Sequence, residues 1–207
     1  MIEALTYKDM LDHIRENDFV EDMIGILITR PSLATGKDIV GELEYYHHLT
    51  GHAINFYLPG YGAYWNTEEY PDMKVVTEID RTEWSFSSKS FVEFINALEE
   101  VSRWKYSGES ELLLIPYHDG KLDFSSVAVF CLDAMLKDET ISSVSRFITE
   151  LSRSARLNNE VKSIVAKGAT KCVTKAIAQE MIDSFFRNVS KALKRGRHYF
   201  CKDFSRY

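Results

Sequence analysis

The sequence predicts an α/β domain on a small open sheet, followed by a C-terminal helical extension. Three observations predict it. The run Ile24-Gly25-Ile26-Leu27-Ile28 is apolar, β-branched and uninterrupted, as a strand covered on both faces must be. Three such runs stop at proline, at Arg30-Pro31, Leu58-Pro59 and Ile115-Pro116, with helical spacing of apolar residues between them. No proline follows Pro116, so nothing forbids helix through the remainder.

The elements follow in order. Thr6 to Phe19 reads as a leading helix, with Thr6 as its cap and Asp9 in the first turn. The first strand covers about Met23–Thr29 and exits at Pro31. The next helix spans Thr35 to Leu49 and stops at Gly51, a natural residue just past a helix end. A second strand, Ala53–Leu58, ends at Pro59. Gly60 to Asp72 is rich in turn formers and aromatics, as a long surface loop would be. Lys74–Ile79 is a short strand, and Ser87 or Ser88 caps a helix to about Trp104 with Phe91, Phe94, Ile95, Leu98 and Val101 on its apolar face. The strand Leu112–Ile115 turns at Asp119-Gly120 into Leu122–Phe124. Val127–Leu136 fits strand or helix equally. Thr140–Leu157 and Thr170–Arg195 are amphipathic helices, and Arg197–Tyr207 alternates basic with aromatic residues. Domain organisation therefore reads as an N-terminal helix over 1–22, an α/β domain over 23–158, and a C-terminal helical segment with a basic aromatic tail over 159–207.

Net charge is −6, unevenly spread. From Glu160 to Tyr207 there are 11 Lys/Arg against 4 Asp/Glu, +7, which leaves −13 for residues 1–159. An acidic body with a basic, apolar-striped helix predicts that the helix packs on the body, on a second copy or on a protein partner. Nucleic acid is the weaker partner, because Glu180, Asp183 and Asp203 interrupt the basic residues. No apolar run reaches the ~18 residues of a membrane span, and no signal-peptide core precedes the first helix. The expected location is the cytoplasm. Cys131, Cys172 and Cys201 lie far apart with no C-x-x-C pair, which fits a reducing compartment.

The order strand, helix, strand, helix, antiparallel hairpin, helix resembles the thioredoxin-like fold. Two stretches carry the resemblance: Ile24–Lys37, a strand entering a helix through a tight loop, and Glu111–Leu122, similar to that family's third strand, turn and fourth strand. Ser32-Leu33-Ala34-Thr35 stands where the cysteine pair would be, and Glu109-Ser110 where a cis-proline is expected. Hydroxyls cannot replace the thiolate nucleophile, so disulfide exchange is excluded. An open Rossmann-like or flavodoxin-like sheet is the alternative fold.

Sites in α/β sheets sit beyond the carboxyl ends of the strands. This nominates Arg30, Ser32, Thr35, Gly36 and Lys37, with Tyr61, Tyr64 and Trp65 of the loop, as a site for a small anionic ligand. The pattern is not a P-loop, which would need Gly at Pro31 and Ser or Thr at Asp38. Thr35 also suits a plain helix cap. His47, His48 and His52 cluster near a helix end, and Glu44 and His48 are i, i+4 neighbours. A zinc site needs three or four converging ligands, and the nearest additions in sequence are Glu42 and His118. The cluster reads as a solvated helix end, and no metal or cofactor is assigned. His118 and Asp119 fit turn chemistry. Two functions remain: a non-redox α/β binding or assembly module of a cytoplasmic complex, engaging a partner through its C-terminal helices, or a nucleotide-directed hydrolase or glycosidase at the strand-end loops. They differ in whether Arg30, Ser32 and a carboxylate converge in one concave pocket.

Overall fold

The structure is a computed structural model that describes residues 2–4, 6–16, 22–49, 54–118, 120–153 and 198–206. Strand β1 (Ile2–Ala4) precedes helix α1 (Tyr7–Glu16) and strand β2 (Asp22–Ile28). Helices α2 (Ala34–Gly41) and α3 (Leu43–Leu49) lead to β3 (Asn55–Pro59) and the two-residue β4 (Tyr61–Gly62). The hairpin β5 (Lys74–Ile79) and β6 (Thr82–Phe86) is followed by α4 (Ser88–Val101). Strands β7 (Glu111–His118), β8 (Lys121–Leu122) and β9 (Val127–Cys131) then precede α5 (Leu132–Lys137). A further helix, α6, covers residues 144–153 of the described chain, and β10 (Tyr199–Lys202) is the last strand.

The fold is α/β with a mixed sheet. Its order is β1-β3-β2-β7-β9-β10, with β8 beside β7. The first three strands are parallel; β7, β9 and β10 alternate antiparallel, with Ile24 opposite Ile115 and Leu113 opposite Val129. Because β2 and β3 are parallel, Pro31 and Pro59 end them at one edge, as the sequence predicts. A second, three-stranded sheet has the order β4-β6-β5. The core follows the apolar runs: Ile24, Ile26, Ile28, Phe56, Leu58, Leu112, Ile115 and Phe130 are buried, and α4 adds Phe91, Phe94 and Leu98. Full burial of each such side chain stabilises by about 1.5–3 kcal/mol.

Local chemistry explains the helix starts. Thr6 Oγ1 accepts the Asp9 N–H at 3.0 Å, and Asp9 Oδ2 accepts the Thr6 N–H at 3.0 Å, a reciprocal cap. Ser87 Oγ accepts the Ser90 N–H at 3.1 Å and caps α4.

Five expectations change. The helix expected over Thr35–Leu49 breaks at Glu42, next to Gly41, where glycine's backbone freedom disfavours continuation. Strand β6 has no counterpart in the sequence reading, because its turn is Asp80-Arg81, with φ of 48° and 66°, and lacks the Asn or Gly that marks such hairpins. The loop expected over 60–72 begins with β4: Gly60, at φ 80°, lets the chain pass from β3 into the second sheet. The ambiguous run Val127–Leu136 is both, a strand to Cys131 and a helix from Leu132. Past the hairpin turn, the strand that pairs with β7 at length is β9, with only Lys121–Leu122 pairing directly after Gly120; on its other side β7 lies antiparallel to β2.

The tail is part of the sheet. Within the stretch expected to form the C-terminal segment, β10 pairs with β9, and Cys131 N–H donates to the His198 carbonyl at 2.9 Å. Phe204 is buried, and its N–H and carbonyl bond Phe124 and Arg103. Arg206 Nη2 and Nε donate to the carbonyls of Glu99 and Ser102 at the end of α4. The expected helix Thr170–Arg195, with Gly51, His52, Asp119 and Cys172, lies outside the described residues. No helix among the described residues is long and apolar enough to cross a membrane.

Candidate functional site

The edge where β2 ends gathers a polar cluster. Thr29 and Arg30 leave the strand, and antiparallel β7 brings Ser110 and Glu111 alongside, with Ile28 opposite Glu111. Thr29 Oγ1 and Ser110 Oγ are 2.8 Å apart and fully buried. Asp133, one residue into α5, receives the Ser110 N–H at 2.6 Å and the Thr35 hydroxyl. Tyr61, also fully buried, donates its hydroxyl to the Thr29 carbonyl at 3.4 Å. Every group in this chain meets another from the protein itself.

Arg30 sits over two rings, its guanidinium carbon 4.9 Å from the Phe91 centroid and 5.4 Å from that of Tyr106. Among the described residues, Arg30 Nε and Tyr106 Oη are buried with no hydrogen-bond partner. Burial pushes the Tyr106 hydroxyl above its ordinary range; the Arg30 charge opposes this, while Glu111 and Asp133 add to it. Glu111 is 3% exposed and accepts the Trp104 indole N–H at 3.2 Å. Burial raises the Glu111 carboxyl above its ordinary value against the hydrogen bonds from Ser107 and Trp104, so the site favours its protonated form.

Gly36 explains how α2 fits here. A Cβ at this position would stand 1.8 Å from the Arg30 carbonyl oxygen, so only glycine lets the first turn pack on the strand exit. Leu33, not Thr35, occupies the cap position of α2 and makes no side-chain cap bond. Thr35 lies inside the helix, buried, with its hydroxyl turned to Asp133. A carboxylate of the chain therefore takes the hydroxyl nominated for an anion.

The nominated residues divide. Arg30, Thr35, Gly36 and Tyr61 meet at the end of β2, and Ser32 and Lys37 are exposed beside it. Trp65 belongs elsewhere. It stands edge-to-face to Tyr70 with centroids 5.0 Å apart and donates its indole N–H to the Gly62 carbonyl at 2.8 Å. With Tyr64, Met73, Val75, Glu83 and Ser85 it lines an open groove of about 520 Å³ on the second sheet. Ser110, Glu111 and Asp133, central to the cluster, were not nominated from sequence. Ser110 and Glu111 adjoin the apolar run of β7, which is their only signal; Asp133 has none, because no spacing relates it to Thr35.

His118 Nδ1 is buried with no hydrogen-bond partner among the described residues. At the end of α3, His47 and His48 have ring centroids 5.5 Å apart, and His47 is 6.2 Å from Trp84. Comparison with protein-family models, with curated proteins and with solved structures finds no match to this chain.

Proposed function

We propose that this chain is a non-redox α/β binding or assembly module that engages a protein partner, or a second copy of itself, through the basic stretch between α6 and β10. The observation that carries the proposal is where the flanks of that stretch belong. Both flanks belong to the described body: residues 144–153 form α6, and His198 Nε2 is 2.9 Å from Asp138 Oδ2. Residues 154–197 hold 10 Lys/Arg against 3 Asp/Glu, +7, while the rest of the chain is −13. The apolar stripe Val173, Ile177, Ile182, Phe185, Phe186, Val189 and Leu193 falls within the same stretch. Burial and charge attraction then act in one direction.

A thioredoxin-like arrangement is our reading of the fold. It is supported by parallel β2 and β3 joined through helices, then α4, then the antiparallel pair β7–β9, then helix. The absence of C-x-x-C supports a non-redox role within it. The enzymatic alternative gains less support. Arg30 is covered by Phe91 and Tyr106, Glu111 is bonded to Trp104, and Ser32 is outside the hydrogen-bonded chain described above.

The test must spare β10. Truncation before His198 would remove a sheet strand and the buried Phe204, and so would report on stability alone. Replacing residues 154–197 with a Gly/Ser linker keeps both flanks. We expect circular dichroism and cooperative melting to survive while the mass in light scattering, or the set of co-purifying proteins, changes. A folded variant with unchanged mass and unchanged partners would refute the proposal.

A further inference from the structure

We propose that Glu44, His48 and Asp80 form a three-ligand site for a first-row divalent cation of the Zn²⁺ type, which clips the β5–β6 hairpin to α3. The donors come from two elements. Glu44 and His48 lie one turn apart on α3, the i, i+4 spacing that puts two ligands on one helix face. Asp80 comes from the tight hairpin turn 32 residues beyond His48, and β5 packs on α3. One donor atom from each residue lies within 4.8 Å of the other two. His48 Nε2 and Asp80 Oδ1 are already 3.3 Å apart. Ligands about 2.0–2.2 Å from a tetrahedral ion stand roughly 3.4 Å from one another, so this pair has the separation of two neighbouring ligands. All three residues are exposed, and Glu44 Oε1 accepts the Asp80 N–H at 3.4 Å, which holds its carboxylate beside the turn that carries Asp80.

The donor set selects the ion. One imidazole with two carboxylates suits zinc, cobalt or nickel, whereas calcium and magnesium prefer oxygen alone. Three protein ligands leave at least one position for water. Two carboxylates balance the charge of the ion, a balance a simple His48–Asp80 ion pair does not need. The sequence names Glu44 and His48 and offers Glu42 and His118 as additions; the turn that supplies Asp80 is visible only in the folded chain.

The full-length protein, stripped with EDTA and dialysed, is titrated with ZnCl₂ by calorimetry and with CoCl₂ by visible absorption. We expect one equivalent to bind in the micromolar range, a rise in melting temperature, and a cobalt spectrum showing nitrogen and oxygen ligation. His48→Ala and Asp80→Asn should each weaken zinc binding by about tenfold or more and remove the thermal shift, with circular dichroism unchanged. No saturable binding to the wild type overturns the proposal. So does an affinity that both substitutions leave unaltered, since the ion would then sit on other histidines.

Discussion

The end of β2 and the open face of the second sheet are both built from strand ends and loops, yet they treat polar groups in opposite ways. At β2, Thr29, Ser110 and Thr35 are shut away from water and, with the half-buried Asp133, answer one another's hydrogen bonds. On the second sheet, Val75 opposes Ser85, and Glu83 is two residues from Ser85 on the same face, but the groove above them stays open to solvent. Tyr64 there is 79% exposed. The difference is one of penalty. A buried donor without its acceptor costs about 1–3 kcal/mol, whereas an exposed one is satisfied by water. The first region is thus constrained by stability, and the second is free to vary or to bind.

Substitutions that break this contrast should follow that order. Asp133→Ala removes the acceptor for the Ser110 N–H and the Thr35 hydroxyl, both in buried residues. The loss should be about 3 kcal/mol, seen as a lower midpoint in urea unfolding with an unchanged slope. Glu111→Gln tests the same region through pH. Burial raises the Glu111 carboxyl, so between its ordinary value and its folded-state value the folded chain binds more proton there than the unfolded chain does. Stability attributable to this group is therefore present below the ordinary carboxylate value and declines as pH rises through the folded-state value. The Gln variant should lose that decline, so its stability profile is flatter between acidic and neutral pH. A profile parallel to wild type would show that Glu111 is ionised at no cost. Smallest of all, Tyr64→Ser on the open face should change stability by less than about 0.5 kcal/mol. A larger loss would mean that the groove is already closed by part of the chain.

The strand exit at the end of β2 was legible in the sequence, and the residues that surround it were not. Arg30, Thr35 and Gly36 were legible, because a β-branched run ending in proline announces a strand exit and a helix start. Tyr61 was grouped with Trp65 as one aromatic loop, but Gly60 turns the chain so that the first is buried at the large sheet and the second lines the groove. Four residues of sequence separation carried no information about that turn. Asp133 is 98 residues from Thr35, and their contact depends on β7, β9 and α5 all being in place.

What the sequence determined by itself is the α/β class, the strands β2, β3 and β7, and the caps at Thr6 and Ser87. These rest on local chemistry: proline lacks a donor, a hydroxyl caps the nearest free N–H, and apolar period follows the element. What only the tertiary structure decided is the mixed strand order, the hairpin through Asp80 and Arg81, the return of β10 to the sheet, and the company kept by Arg30, Glu111 and Asp133. Each depends on strands far apart in sequence meeting edge to edge. That register is set by the burial of one face against the rest of the core, a property of the assembled fold that no short stretch of residues contains.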